Sequence, residues 1–189
     1  MFRQSDGRTR QVEVLVNNAA VGSATVDELS DDPAEQDSLM MTINADGSLK
    51  MCQEILSLLE GTNRKLINIS SVGGGITAFP GFRLFDGMSK AAVAFSTRQL
   101  AAETTHKDVD VDVLAICPGA TDTPMFQAST LDKLTAEERA RSCANLPKSR
   151  LIQPADIAEV VHFLATPASR VMHGAVLDTS MGLGSRPGL

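Results

Sequence analysis

The chain has 189 residues, of which 43% are hydrophobic and 21% charged, the balance of a single globular domain with a sizeable core. Its net charge of −6, without any basic stripe, excludes a surface built for nucleic acid or anionic membrane, and no stretch approaches the ~18 apolar residues of a membrane span. The start, MFRQSDGRTR, lacks the apolar run of a signal peptide, so a cytoplasmic protein is expected.

VEVLV (12–16) is a β-rich apolar run that stops at Asn17-Asn18-Ala19-Ala20, a strand feeding a loop. Asp31, Asp32 and Pro33 then open a long helix in which Cys52, Ile55, Leu56 and Leu59 form a buried stripe at helical spacing, with Gly61 as its end. KLINIS (65–70) is a second strand, Gly73 to Gly75 and Pro80-Gly81 a loop, and the Ala-rich segment from about Asp86 to His106 a helix. VDVLAI (111–116) is a third strand, closed by Cys117-Pro118-Gly119. Residues 123–149 are polar and helix-prone, with Met125 and Phe126 at the near end; they suit a flap over a pocket or a plain surface excursion. Pro154 starts another helix, with Ile157, Val160, Val161 and Leu164 repeating the buried spacing, Pro167 ends it, and AVLDT (175–179) is a last short strand.

Strands alternating with helices predict a Rossmann-like α/β fold, a parallel sheet with right-handed crossovers and helices on its faces. In such sheets ligands sit beyond the carboxyl ends of the strands, which here carry Asn17-Asn18, Ser70-Ser71 and Pro118-Gly119. Cys52, Cys117 and Cys143 are odd in number, widely spaced and without a CxxC, so neither a disulfide framework nor a metal site is expected. Cys117, ending an apolar run beside Pro118, reads as a buried structural thiol rather than a nucleophile.

LVNNAA (15–20), INADG (43–47), INISS (67–71), DGMSK (86–90) and CPGATDTPM (117–125) stand in order along the chain. Together they resemble the strand-end NNAG, the Asn-bearing segment, the Ser-bearing strand, the YxxSK segment and the PG-motif of the short-chain dehydrogenase/reductase family. The resemblance implies an NAD- or NADP-dependent oxidoreductase acting on a small carbonyl/alcohol pair; a homo-oligomer is expected separately, from apolar sheet surface that a second chain would cover. The resemblance assigns catalytic positions to Asn44, Ser71, Asp86 and Lys90, and cofactor contacts to Asn17, Asn18, Ala19, Lys90, Pro118, Gly119 and Thr123, the last at the nicotinamide carboxamide. In that chemistry hydride passes between nicotinamide and a carbon, a phenol gives or takes the proton on oxygen, and a lysine ammonium lowers the phenol from its free pKa of about 10. Singly these residues have plainer readings: Asn17 and Asn18 as loop formers, Ser71 as a turn hydroxyl, Lys90 as a solvated charge.

Two departures stand out. The phenol's position holds Asp86, and the chain contains no tyrosine at all. A free aspartate titrates near about 3.9 and an adjacent ammonium is expected to pull it lower, or to pair with it if both are buried, leaving no proton to give. Asp86 also suits a helix amino terminus with no catalytic role. Secondly, no G-x-G-x-x-G occurs, so the pyrophosphate cradle is missing. Met1 is expected to start inside the helix before VEVLV, making residues 1–189 a single truncated domain that lacks the first βαβ(α) half and exposes VEVLV as an edge. An impaired oxidoreductase is the leading reading; a non-catalytic binding or dimerising subunit, and a lyase or isomerase with Asp86 as base, are the alternatives.

Overall fold

The computed structural model describes residues 12–59 and 63–185. Strand β1 (Val14–Asn17) leads into helix α1 (Ser23–Leu29), then α2 (Pro33–Met40), a π-helical turn at Met41–Gly47 and α3 (Ser48–Leu56). Strand β2 (Lys65–Ile69) is followed by the single turn α4 (Val72–Gly75) and the 23-residue α5 (Leu84–His106). Strand β3 (Asp112–Pro118), α6 (Pro124–Ser129), α7 (Ala136–Asn145), α8 (Pro154–Leu164) and β4 (Val176–Thr179) complete the order. The four strands pair in parallel in the order β1-β2-β3-β4, and this is a Rossmann-like α/β sheet with flanking helices. Among the described residues no helix is long and apolar enough to cross a membrane.

The two faces of β2 and β3 are apolar because their side chains alternate between two helix layers. Leu66 and Val113 pack with Cys52, Leu59 and Ala101 of the α3 and α5 side, whereas Ile67, Leu114 and Ile116 pack with Leu164 of α8 and its partly buried neighbours Ile157, Val160 and Val161. Each step across the sheet goes in the same direction, yet α8 covers the face opposite α3 and α5. The third crossover therefore has the opposite hand from the first two, and the expectation of uniformly right-handed crossovers is corrected. The excursion through α6 and α7 gives the chain the length to pass over the carboxyl end of the sheet before α8 descends.

Other expectations are refined. The long helix after Pro33 is continuous but carries a wide π turn around Asn44, and its expected end at Gly61 lies outside the described residues, as does the expected helix at Met1. The Gly73–Gly75 segment is a tight turn opened by the Ser71 hydroxyl, with Gly73 and Gly74 off helical backbone angles, in keeping with the expected loop. Gly74 has φ +93, and a Cβ there would run into the Gly87 backbone; only glycine permits this close approach of α4 to the first turn of α5. Strand β3 continues through Cys117 and Pro118, since Pro118 still pairs with Thr179.

At the amino end of the sheet the Lys65 side chain is 1% exposed. Its ammonium is held by Asp112 at 2.5 Å and Ser169 at 3.0 Å, joining the starts of β2 and β3 to the turn before β4. A buried ammonium without its carboxylate is costly. Asp112→Asn should lower stability by about 3 kcal/mol, roughly 6 to 12 °C in Tm for a chain of this size. The double variant Lys65→Met/Asp112→Leu should recover most of that loss, measured by thermal denaturation followed by circular dichroism.

Candidate active site

The carboxyl ends of the parallel strands place Asn17, Ser70-Ser71 and Pro118-Gly119 at one edge of the sheet. Over that edge lie the π turn, α4 and the first turns of α5. Asn44, in the wide turn, is 1% exposed. Its carbonyl oxygen accepts from Val21 N–H at 2.8 Å, its amide donates to Val21 C=O at 3.0 Å, and the same amide reaches Ser89 Oγ at 3.3 Å. Asn44 thus clips the loop after β1 to α5. A straight α-helical turn offers one fewer residue per turn, and π turns recur where a side chain must be aimed at a functional spot.

Ser89 Oγ in turn donates to Asp86 C=O at 2.8 Å. Ser70 Oγ donates to Lys90 C=O at 2.8 Å, and Lys90 Nζ reaches Ile69 C=O at 3.4 Å. These contacts fix the helix turn that carries Asp86 and Lys90 against the end of β2. Ser71 is occupied by capping α4, its hydroxyl accepting from Gly73 N–H at 3.2 Å.

Asp86 and Lys90 sit one helical turn apart, half-buried, without a salt bridge between them and with no hydrogen bond to the Asp86 carboxylate among the described residues. Burial raises the Asp86 carboxyl above its ordinary value, and the opposing pulls of Lys90 and Arg83 do not offset it. Burial likewise lowers the Lys90 ammonium, against the stabilising pull of Asp86 and Cys117. This corrects the expectation that Lys90 depresses Asp86 or pairs with it: desolvation outweighs the neighbouring charge where the carboxylate has no hydrogen bond and the ammonium has only a long one to Ile69 C=O. Both groups are displaced toward neutrality, the direction in which an acid or base becomes usable near pH 7.

The residues assigned to a cofactor divide. Asn18 and Ala19 are exposed at the end of β1. Asn17 instead turns inward: its amide donates to Ser48 C=O at 2.9 Å and to Asn68 Oδ1 at 3.3 Å, and Asn68 donates to Thr97 Oγ1 at 2.9 Å. This buried chain ties β1 and β2 to α3 and α5, a structural task. Gly119 lies so close to Ser180 that a Cβ would come within 2.9 Å of its Cβ, so packing alone accounts for glycine there. Thr123 caps α6, its hydroxyl accepting from Phe126 N–H at 3.2 Å.

Residues 123–151 are pinched at their neck by Thr121 pairing with Ile152. They dock on α1 through Ser129 Oγ, which accepts from Ala24 N–H at 3.2 Å, and through Lys133 with Asp27 at 3.8 Å. Met125 packs on Gly22 of the loop before α1.

The pattern of motifs did not single out Ser89 or Arg83. Ser89 was visible beside Lys90 within DGMSK. Arg83 bonds Asp37, Asp27 and Gln36 from just before α5, and no spacing in the sequence announces those partners. No group of three or more His, Cys, Asp or Glu side chains among the described residues is placed to hold a metal.

A family model described as enoyl-(acyl carrier protein) reductase matches residues 1–184. The chain is 32% identical over 178 residues to galactitol 2-dehydrogenase of Rhizobium johnstonii, covering 92% of this chain and 65% of the relative. It is 33% identical over 169 residues to 2-(R)-hydroxypropyl-CoM dehydrogenase of Xanthobacter autotrophicus, covering 88% and 64%. Among solved structures it is similar to the angucycline C-6 ketoreductase LanV with bound NADP, at TM-score 0.72 and 30% identity over 93% of this chain and 64% of that one. The chain thus spans just under two thirds of the length of these relatives. Ordered motifs, a parallel sheet with its polar residues at the strand ends, and a match over nearly every residue make this chain a member of the short-chain dehydrogenase/reductase family.

Proposed function

We propose that the chain is an NAD(P)-linked oxidoreductase of a carbonyl/alcohol pair in which proton transfer is handicapped because Asp86 stands where a phenol would act. The observation that carries this reading is the clamped set of Asn44, Ser89, Asp86 and Lys90 over the end of β2, with no tyrosine anywhere in the 189 residues.

The residues at hand fit one end of a dinucleotide only. The exposed Asn18 and Ala19 and the lowered Lys90 ammonium suit a nicotinamide ribose at the strand ends. The sequence holds no G-x-G-x-x-G for the pyrophosphate, and its Gly73–Gly75 turn follows β2, the strand that leads to Ser71. Bound there, the nicotinamide would exchange hydride with substrate carbon. The chain's own share is to hold the substrate oxygen with the Ser71 hydroxyl once that hydroxyl turns from its capping role, and to move a proton at Asp86. A carboxyl raised by burial is a better acid at neutral pH than a free aspartate, though still shifted from the range of a phenol. The same raised carboxyl favours a second reading, a carbon base in a lyase or isomerase; that reading requires loss of activity in Asp86→Asn.

A homo-oligomer is also proposed. Met51 of α3 is 49% exposed and Phe95 of α5 63% exposed, on the outward sides of the two helices whose other sides cover one sheet face. A second copy burying these groups would remove apolar surface from water.

Three outcomes test these readings. With ketones and NAD(P)H followed at 340 nm, Asp86→Tyr should exceed the native chain by about 10²-fold or more, the usual worth of general acid catalysis; brisk native turnover without gain in the variant contradicts the proposal. Because the folded Asp86 carboxyl is raised, the native state binds its proton more tightly than the unfolded chain, and stability falls as pH rises from the ordinary carboxylate range through the folded value. Asp86→Asn should therefore gain Tm over the native chain at pH 7 and lose that gain toward pH 3. Sedimentation velocity should give a dimer or larger for the native chain and a smaller species for Phe95→Glu.

A further inference from the structure

At the amino end of the sheet, opposite the edge that carries Asp86, a cavity of about 250 Å³ opens between the segments entering β2, β3 and β4. It is lined by Asn63, Arg64, Asp110, Asp112 and Arg170. The carboxylates are mostly committed or solvated. Asp112 is taken by Lys65 at 2.5 Å, and Asp110, 90% exposed, approaches Arg64 only at 3.7 Å. Exposed pairs of that kind hold little energy. The cations are less satisfied. Arg64 Nε is buried and finds no hydrogen-bond partner. Arg170 is exposed and forms no ion pair or hydrogen bond among the described residues.

Two guanidiniums with open donors therefore face one polar cavity, backed by the buried Lys65 ammonium. The lining carries two guanidiniums and two carboxylates, and because Asp112 is already paired with the buried Lys65, only the exposed Asp110 is left facing the two arginines. Guanidinium groups present paired N–H donors that match the oxygens of a phosphate or carboxylate. A neighbouring cleft shares Asp110 and Asp112 with this cavity and adds Asp108 and His173 to its own lining.

We propose that the cavity between Arg64 and Arg170 is a binding site for a small oxyanion, a phosphate or a polycarboxylate, independent of the Asp86 site. The site would couple ligand to fold, because its walls are the entries to three strands joined by Lys65, Asp112 and Ser169.

Isothermal titration calorimetry of the full chain tests this, with inorganic phosphate and, separately, citrate as titrants at ionic strength held constant with sodium chloride. Saturable binding of one of them is expected, weakened by about tenfold or more in Arg170→Gln and in Arg64→Gln and unchanged in Lys133→Gln, which removes a surface cation elsewhere. Tighter citrate than phosphate would assign the carboxylate form of the same chemistry, and the reverse order the phosphate form. Arg170 is exposed, so its variant should melt at the native temperature, and a thermal scan of each variant separates lost binding from lost fold. Absence of saturable heat with both anions, or full binding in Arg170→Gln, overturns the proposal.

Discussion

The site depends on the removal from water of two opposite charges one helical turn apart on α5. Asp86 and Lys90 are close enough to feel one another, yet neither gains a salt bridge, and burial dominates both. A carboxylate and an ammonium in water would each keep their charge over the whole range from about pH 5 to pH 9. Here the protein penalises both charges at once. A group so placed is held nearer the point at which it can exchange a proton, and its cost is borne by the contacts that lock α5 in place.

Those contacts explain why the helix cannot swing the pair back into solvent. Ser70 anchors the backbone of Lys90, Ser89 that of Asp86, and Asn44 ties Ser89 to the loop after β1. Gly74 allows α4 to press against Gly87. Beneath them, the Asn17–Asn68–Thr97 chain fixes β1 and β2 to the helix layer. Buried polar groups that are fully bonded rigidify their surroundings, and a half-satisfied set would be costly. The end of the sheet thereby becomes a stiff platform, while the excursion over it is held at its neck and by a few contacts to α1.

Much of this was legible in the sequence. Short apolar runs marked all four strands to within two residues, most plainly β2 and β3, which are buried on both faces. The helical stripes at Cys52 to Leu59 and Ile157 to Leu164 did pack on the sheet. The location of the site followed from polar residues at strand ends. Less was legible where three-dimensional context decides. Helix α1 is seven residues with one fully buried side chain, too short for a periodic signal. Asn17 is polar at a strand end, which suggests a ligand contact, but strand alternation turns it toward α3. The change of face at α8 has no local marker. For Asp86 the sequence displays the neighbouring lysine but not the burial, so a reading from the sequence takes the charge effect and gets the direction wrong.

The pair at Asp86 and Lys90 can be interrogated without any substrate. A ¹³C NMR titration of the Asp86 side-chain carboxyl in the native chain, with Asp86→Asn to assign the resonance, reads its apparent pKa directly. The account predicts a midpoint above that of an exposed aspartate in the native chain, rising further in Lys90→Met, where the lowering pull of the ammonium is gone. A midpoint at or below the value of an exposed aspartate would contradict it, and with it the view that desolvation governs this site.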